Sequence, residues 1–181
     1  MKGGPRILGG RLRGRRLPSP PEAVRPTEGR VREALFAIWQ ERVPEAALLD
    51  LFAGSGAVAI EAISRGAAWV TLVEVGGREV ARLRRLCRAL APEKSEVWRA
   101  RLPGFLRRPP PRRYDLIFAD PPYRFRHHAT LVEAAAGWLA PQGELAIEHD
   151  ARAELPPVLG GCRRRDRRTW GEIHVSFYRL G

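Results

Sequence analysis

The chain has 181 residues, 44% of them hydrophobic, which is enough for one domain whose core needs neither a metal nor disulfides. Its formal net charge of +12, from 32 Lys and Arg against 20 Asp and Glu, points to a polyanionic partner. No apolar run approaches the roughly 20 residues of a membrane-spanning helix, and the basic N-terminus lacks the apolar stretch of a signal peptide, so a soluble, cytoplasmic protein without membrane association is expected.

Residues 1 to 26 read as a basic arm and connector, set apart from a domain over 27 to 181. The segment RILGGRLRGRRLPSPP intersperses Ile7, Leu8, Leu12 and Leu17 with glycines and arginines. It is too short and polar to carry a core of its own and is expected to form a hairpin-like arm, loosely held. Prolines at 18, 20, 21 and 26 make an extended connector. A helix is predicted from Thr27, its cap, to Glu41, with Val31, Ala34, Leu35 and Ile38 on the apolar face and Arg30, Arg32 and Glu33 pointing away.

Strand and helix then alternate. Strands are predicted at 47–53, 69–75, 96–99, 115–119 and 143–149, with helices at 57–66, 78–90 and 128–139. This order implies a parallel sheet covered by helices on both faces. The last segment, CRRRDRRTWGEIHVSFYRLG, reads as two strands joined near Trp170 and Gly171, an antiparallel hairpin closing the edge of a mostly parallel, seven-stranded α/β sheet. Cys87 and Cys162 have neither metal-ligand spacing nor a disulfide framework; both read as small core residues, and no metal is expected. His127 and His128 read as loop or helix-start residues, with no carboxylate or serine at a meaningful spacing.

Two stretches carry chemistry. DLFAGSG (50 to 56) places Gly54 and Gly56 where a buried strand turns into a helix, the place at which a doubly wound sheet binds nucleotides. The third glycine of a dehydrogenase loop and the lysine of a phosphate-binding loop are both missing. Glu74 ends the next strand, where an acid accepts bonds from both ribose hydroxyls. Asp50 is costly to bury inside an apolar strand unless it holds loop amides or a cationic ligand group. The second stretch, DLIFADPPYR (115 to 124), ends a buried strand in an acid, two prolines and a tyrosine.

Taken in order, DxFxGxG, an acid ending the second strand and DPPY ending the fourth resemble the signature of Rossmann-like class I methyltransferases that use S-adenosylmethionine on exocyclic amines. The pieces RILGGRLRGRRLP (6–18), RPTEGRVREALFAIW (25–39) and LLDLFAGSGAVAIEAISRGA (48–67) resemble the RsmD family of bacterial 16S rRNA guanine-N2 methyltransferases, and the likeness runs from about Arg6 to the C-terminal VSFYRL. The resemblance implies a monomer that acts on 16S rRNA in an assembling small ribosomal subunit. It assigns catalysis to Asp120, Pro121, Pro122 and Tyr123. The cofactor falls to Asp50, Phe52, Ala53, Gly54, Ser55, Gly56, Glu74, Val75 and Asp120, with backbone near Leu102 recognising adenine. The family often carries a second acid where this chain has Gly76, and an Asp or Asn where it has RARLPGF (99–105).

An aryl amine is a poor nucleophile because its lone pair is delocalised into the ring. The Asp120 carboxylate and the Pro121 carbonyl can each accept one N–H, aligning that lone pair, while the prolines fix the backbone beforehand. Tyr123 offers a face on which an extruded base can stack. Arg6, Arg11, Arg13, Arg15 and Arg16 are the candidate RNA contacts on the arm, and Arg124 and Arg126 can grip phosphates flanking the base. Three rivals remain. A DNA adenine-N6 methyltransferase uses the same motif but generally inserts a target-recognition domain. A protein glutamine methyltransferase usually has Asn in place of Asp120. A non-catalytic RNA-binding assembly factor would bind RNA without methyl transfer.

Overall fold

The computed structural model describes residues 4–19, 29–153 and 155–181. The Thr27 cap and the prolines at 20, 21 and 26 lie outside them. In chain order the elements are α1 (Gly29–Ile38), β1 (Ala47–Leu51), α2 (Ala57–Ser64), β2 (Trp69–Glu74), α3 (Gly77–Leu90), β3 (Ser95–Arg99), a 3-10 turn (Gly104–Arg107), β4 (Tyr114–Ala119), α4 (His128–Ala136), β5 (Leu139–Asp150), β6 (Val158–Leu159), β7 (Cys162–Trp170) and β8 (Ile173–Leu180).

One sheet holds all the strands, in the order β3-β2-β1-β4-β5-β8-β7-β6. The first five run parallel and the last three antiparallel, as a Rossmann-like fold with a C-terminal hairpin requires. Eight strands form rather than the expected seven. The eighth, β6, is two residues long and is held by Leu159 pairing with Cys162 across a glycine turn, too short to leave a pattern in the sequence. β5 also starts at Leu139, before the predicted 143, and takes up residues assigned to the end of α4. No helix among the described residues is long and apolar enough to cross a membrane.

β1 and β4 are buried along nearly their whole length, as continuous apolar runs in the centre of a parallel sheet should be. Alternation along β1 sends Leu48 to the face packed by α1, α2 and α3, and Leu49 and Leu51 to the face packed by α4 and the Trp98, Phe105, Trp138 cluster. Asp50 therefore faces α2. Cys87 and Cys162 are buried free thiols.

The arm is not loosely held. Ile7 and Leu17 are buried in the same apolar cluster as α1 to α3, worth about 1.5–3 kcal/mol each. The amides of Leu8 and Gly9 donate to the two carboxylate oxygens of Glu61 at 2.7 Å, and the amide of Leu12 donates to Ser64 Oγ at 2.8 Å. Gly10 lies so close to α2 that a Cβ there would overlap the Ser64 carbonyl. Arg32, expected to face solvent, is 2% exposed: its Nε lies 3.9 Å from Glu61, and its Nη2 donates to the Arg6 carbonyl at 2.6 Å. Ile38, expected in the core, is 37% exposed, while Phe36 and Trp39 take the buried positions; Trp39 donates to the buried Glu144 at 2.7 Å. The α1 apolar stripe is thus rotated so that its polar residue Arg32 closes the joint between arm, α1 and α2.

Candidate active site

β1 lies between β2 and β4, the point where the strand order reverses direction, and crevices open at such points beyond the carboxyl ends of strands. Past Leu51 the chain enters a tight loop. Phe52 takes a left-handed φ of 61°, Gly54 one of 47° and Gly56 one of 77°, and the Gly56 amide donates to the Ala53 carbonyl at 2.7 Å. A Cβ on Gly56 would stand 2.8 Å from Leu83 Cδ2, so α3 packs against this loop where only glycine fits. A left-handed Phe52 costs energy, as do Glu45 and Glu93 in turns elsewhere.

Asp50 is 2% exposed. The Ala59 amide of α2 bonds to it, while its Oδ2 has no partner. Burial pushes its carboxyl up to about 8, helped by the nearby charges of Asp120 and Glu74 and opposed by the Ala59 bond. An unpartnered buried carboxylate oxygen is expensive, so the arrangement is one that a cationic ligand group completes. Glu74 ties the two loops together: Oε2 accepts the Gly54 amide at 3.1 Å, and Oε1 accepts the Val75 amide at 2.7 Å.

Asp50, Phe52, Ala53, Gly54, Ser55 and Asp120 line one small cleft, open to solvent. Gly56 and Glu74 frame it, and Val75 is 49% exposed beyond it. The Ala100 amide donates to the Glu74 carbonyl at 3.0 Å, which brings the turn carrying Leu102 beside the end of β2. Asp50 and Asp120 line the cleft with no base among the lining residues, and Glu74 stands beside it through the Gly54 amide, an acidic surround that favours positive charge.

At the end of β4 the Asp120 amide donates to the Leu51 carbonyl at 3.4 Å, fixing the motif to β1. Pro121 is buried, Pro122 exposed, and the Pro122 carbonyl accepts the Phe125 amide at 2.7 Å, closing the turn. Tyr123 is 69% exposed. Phe125 returns to meet Phe52 edge-on at 5.2 Å, so the two loops share one hydrophobic contact.

Arg124 and Arg126 are exposed on the same turn, as are Arg6, Arg11, Arg13, Arg15 and Arg16 on the arm. The structure does not bring the two groups together. α2 starts at the glycine loop and the arm tip binds Ser64 at its other end, roughly 10 Å along the helix at 1.5 Å per residue.

Three features escaped the sequence reading. Arg82, on α3, donates to the carbonyls of Gly54 and Ser55, the latter at 3.2 Å, and so holds the loop from behind. Its spacing in α3 marks only a polar helix face. Arg152 Nη1 reaches Tyr123 Oη at 3.4 Å from the turn after β5, where Asp150 Oδ1 accepts the amides of Arg152 and Ala153. All four histidines gather beside the motif: Phe125 meets His127 and His128, His128 meets His149 at 6.5 Å, and His149 stacks on His174 at 5.6 Å. Burial lowers the pKa of His128 and His149, which keeps both neutral at pH 7. Only the fold joins these residues, which come from three separate segments.

A profile of the family described as conserved hypothetical protein 95 matches residues 5–179. Ribosomal RNA small subunit methyltransferase D of Escherichia coli is 34% identical over 178 residues, spanning 96% of this chain and 88% of its own. The protein of the same name from Haemophilus influenzae is 35% identical over 153 residues, spanning 81% of this chain and 79% of its own. Among solved structures, yhhF from Escherichia coli superposes with a TM-score of 0.87 at 32% identity, covering 97% of each chain.

Proposed function

Because the chain belongs to the conserved hypothetical protein 95 family, that of ribosomal RNA small subunit methyltransferase D, we propose that it methylates the exocyclic N2 amine of a guanine in 16S rRNA with S-adenosylmethionine. The observation that carries the reading is the shared cleft: the DPPY carboxylate of Asp120 opens onto the same pit as the unpartnered oxygen of Asp50.

The residues fit the cofactor. Asp50 would take its ammonium end, the backbone of Ala53 to Gly56 its amino-acid portion, and Glu74 its ribose, with Val75 and the Leu102 turn beside the adenine. The cleft is small, so the amino-acid end alone would sit in it and the nucleoside would lie along the surface past Glu74. The bound cofactor supplies an electrophilic methyl on a sulfonium. The chain's own part is orientation. Asp120 and the Pro121 carbonyl hold the two N–H groups of the amine, and the fixed backbone of Pro121 and Pro122 keeps that carbonyl in place before the base arrives. Positive charge develops on the nitrogen as the bond forms, and the Asp120 carboxylate stabilises it. Tyr123, held out from the surface, gives an extruded base a stacking face.

The substrate would be the RNA of an assembling small subunit, bound by the exposed arginines of the arm and of the turn at Arg124 and Arg126. Incubation with labelled S-adenosylmethionine and, separately, naked 16S rRNA, small subunits, duplex DNA and release-factor protein tests the reading. Label in rRNA or subunits supports it; label only in DNA or protein, or none anywhere, overturns it.

A further inference from the structure

β6 covers only the first two residues of β7, pairing Val158 with Arg163 and Leu159 with Cys162. The Arg164 amide still donates to the Pro157 carbonyl at 2.7 Å; beyond Arg164 the outer edge of β7 is unpaired among the described residues. That edge carries the densest positive charge in the chain, CRRRDRRTW, five arginines against one aspartate. Asp166 pairs with Arg168 at 2.8 Å. Among the described residues no acid lies within ion-pair distance of Arg163, Arg165 or Arg167, and all three are exposed.

The strand also runs toward the motif. In the order β5-β8-β7, Asp150 and Trp170 both pair with Ile173, so the end of β7 lies two strand spacings, roughly 10 Å, from the turn that carries Arg152. Arg152 in turn touches the Tyr123 hydroxyl. Arg167 pairs with Ser176, which bonds to His149, and it lies close enough to His149 for its charge to act on the imidazole. Arginines therefore stand on both sides of this junction, Arg152 beside Tyr123 and Arg167 on β7 near His149.

We infer that the exposed edge of β7 is the track for the single-stranded RNA leading away from the target base, with Arg163, Arg165 and Arg167 on its phosphates and Arg152 linking the track to Tyr123. The inference rests on the proposed RNA substrate. Charged residues on an edge strand also block pairing with other chains, but either sign serves that purpose and one or two charges suffice. Unbalanced charge of one sign, repeated along a strand that ends beside the reaction centre, matches a polyanion. Guanidiniums are the side chains that grip phosphate bidentately.

The full chain and its Arg163→Gln, Arg165→Gln, Arg167→Gln variant are titrated with a single-stranded fragment of 16S rRNA over a series of salt concentrations, with S-adenosylmethionine affinity measured alongside. The track predicts a slope of log affinity against log salt shallower by about 2, at about 0.7 per phosphate contact on single strands. At low salt it predicts tenfold or greater weakening, with cofactor affinity unchanged. The corresponding triple Lys variant should keep the original slope. An unchanged slope in the Gln variant overturns the track, as does aggregation with an unchanged slope in the soluble fraction, which is the signature of edge protection. Lost binding to small subunits with an unchanged slope on naked RNA also overturns it, in favour of a protein partner. Photo-cross-linking of the unaltered chain to thiouridine-labelled RNA gives a check free of folding effects: adducts on residues 163–168 are expected, and adducts confined to the arm would refute the track. If the unaltered chain shows no salt-dependent RNA binding, the proposed function itself fails.

Discussion

In the cleft, Asp50 and Asp120 converge from the ends of two adjacent strands with Glu74 beside them, and Asp50 at its floor is 2% exposed; on the rim and the arm, every arginine assigned to RNA is exposed. One region is built from backbone hydrogen bonds to loops, the other from exposed side chains. The difference matches the two ligands proposed. A small cation must be desolvated and held still, so Asp50 is buried and one of its oxygens is left for it. A long polyanion gains affinity by releasing counterions along its length, which exposed guanidiniums accomplish without being buried. Acids at the cleft floor also keep phosphates out of the cofactor's place.

The sharpest way to break this division is Asp120→Ala. The division predicts that methyl transfer falls by about 10²–10³-fold, the range for losing one preorganised electrostatic contact, while cofactor affinity measured by calorimetry changes by less than about tenfold. Equal losses in both would place Asp120 among the cofactor residues alone.

Asp50→Asn probes the floor. Removing the charged partner should cost about 1.5–3 kcal/mol of cofactor affinity, roughly ten- to a hundredfold. The pH dependence has a definite sign. The folded carboxyl, pushed up to about 8, lies above its ordinary value of 3.8, so folding favours the neutral form. That stabilisation is complete below the ordinary value and is lost as pH rises through about 8. A cationic ligand favours the ionised form, so its binding at pH 7 releases a proton, and affinity falls as pH drops below about 8. Calorimetry in two buffers of different ionisation enthalpy should detect that proton in the unaltered chain and not in Asp50→Asn. Thermal melts at pH 9 should show the variant to be the more stable.

Tyr123→Ala tests the rim, with an expected loss of about 1–3 kcal/mol in RNA binding from lost stacking and unchanged cofactor affinity; Tyr123→Phe should stay within about twofold. The arm is tested through salt dependence and melting. Replacing Arg11, Arg13, Arg15 and Arg16 by Gln should lower the salt slope by about 3 and leave melting unchanged, because their side chains face solvent while the backbone carries the docking. A lowered melting temperature would show that they hold the arm.

Most of the parallel sheet was legible because its strands are apolar runs ended by glycine or an acid, and the cofactor loop because its glycines and Asp50 break that pattern. The arm does form the expected hairpin, with Arg6 bridging Arg16, but its attachment was misread for a physical reason that the sequence did contain. AVAIEAIS is apolar nearly all round, and such a helix must be covered on every side; Glu61 and Ser64, its polar residues, are spent on arm backbone. Burial of Arg32 follows from the same docking and could not be read from α1 alone, since its partner Glu61 lies 29 positions later. Arg82, Arg152 and the histidine group act across loops that only the fold brings together, and β6 is too short to carry a period.

The most direct test is nucleoside mass spectrometry of 16S rRNA from a strain lacking this protein, beside its parent. The account predicts that one N2-methylguanosine disappears and returns when the gene is restored, but not with Asp120→Ala. Loss of a methylated adenine instead, or no change in the rRNA, would contradict it.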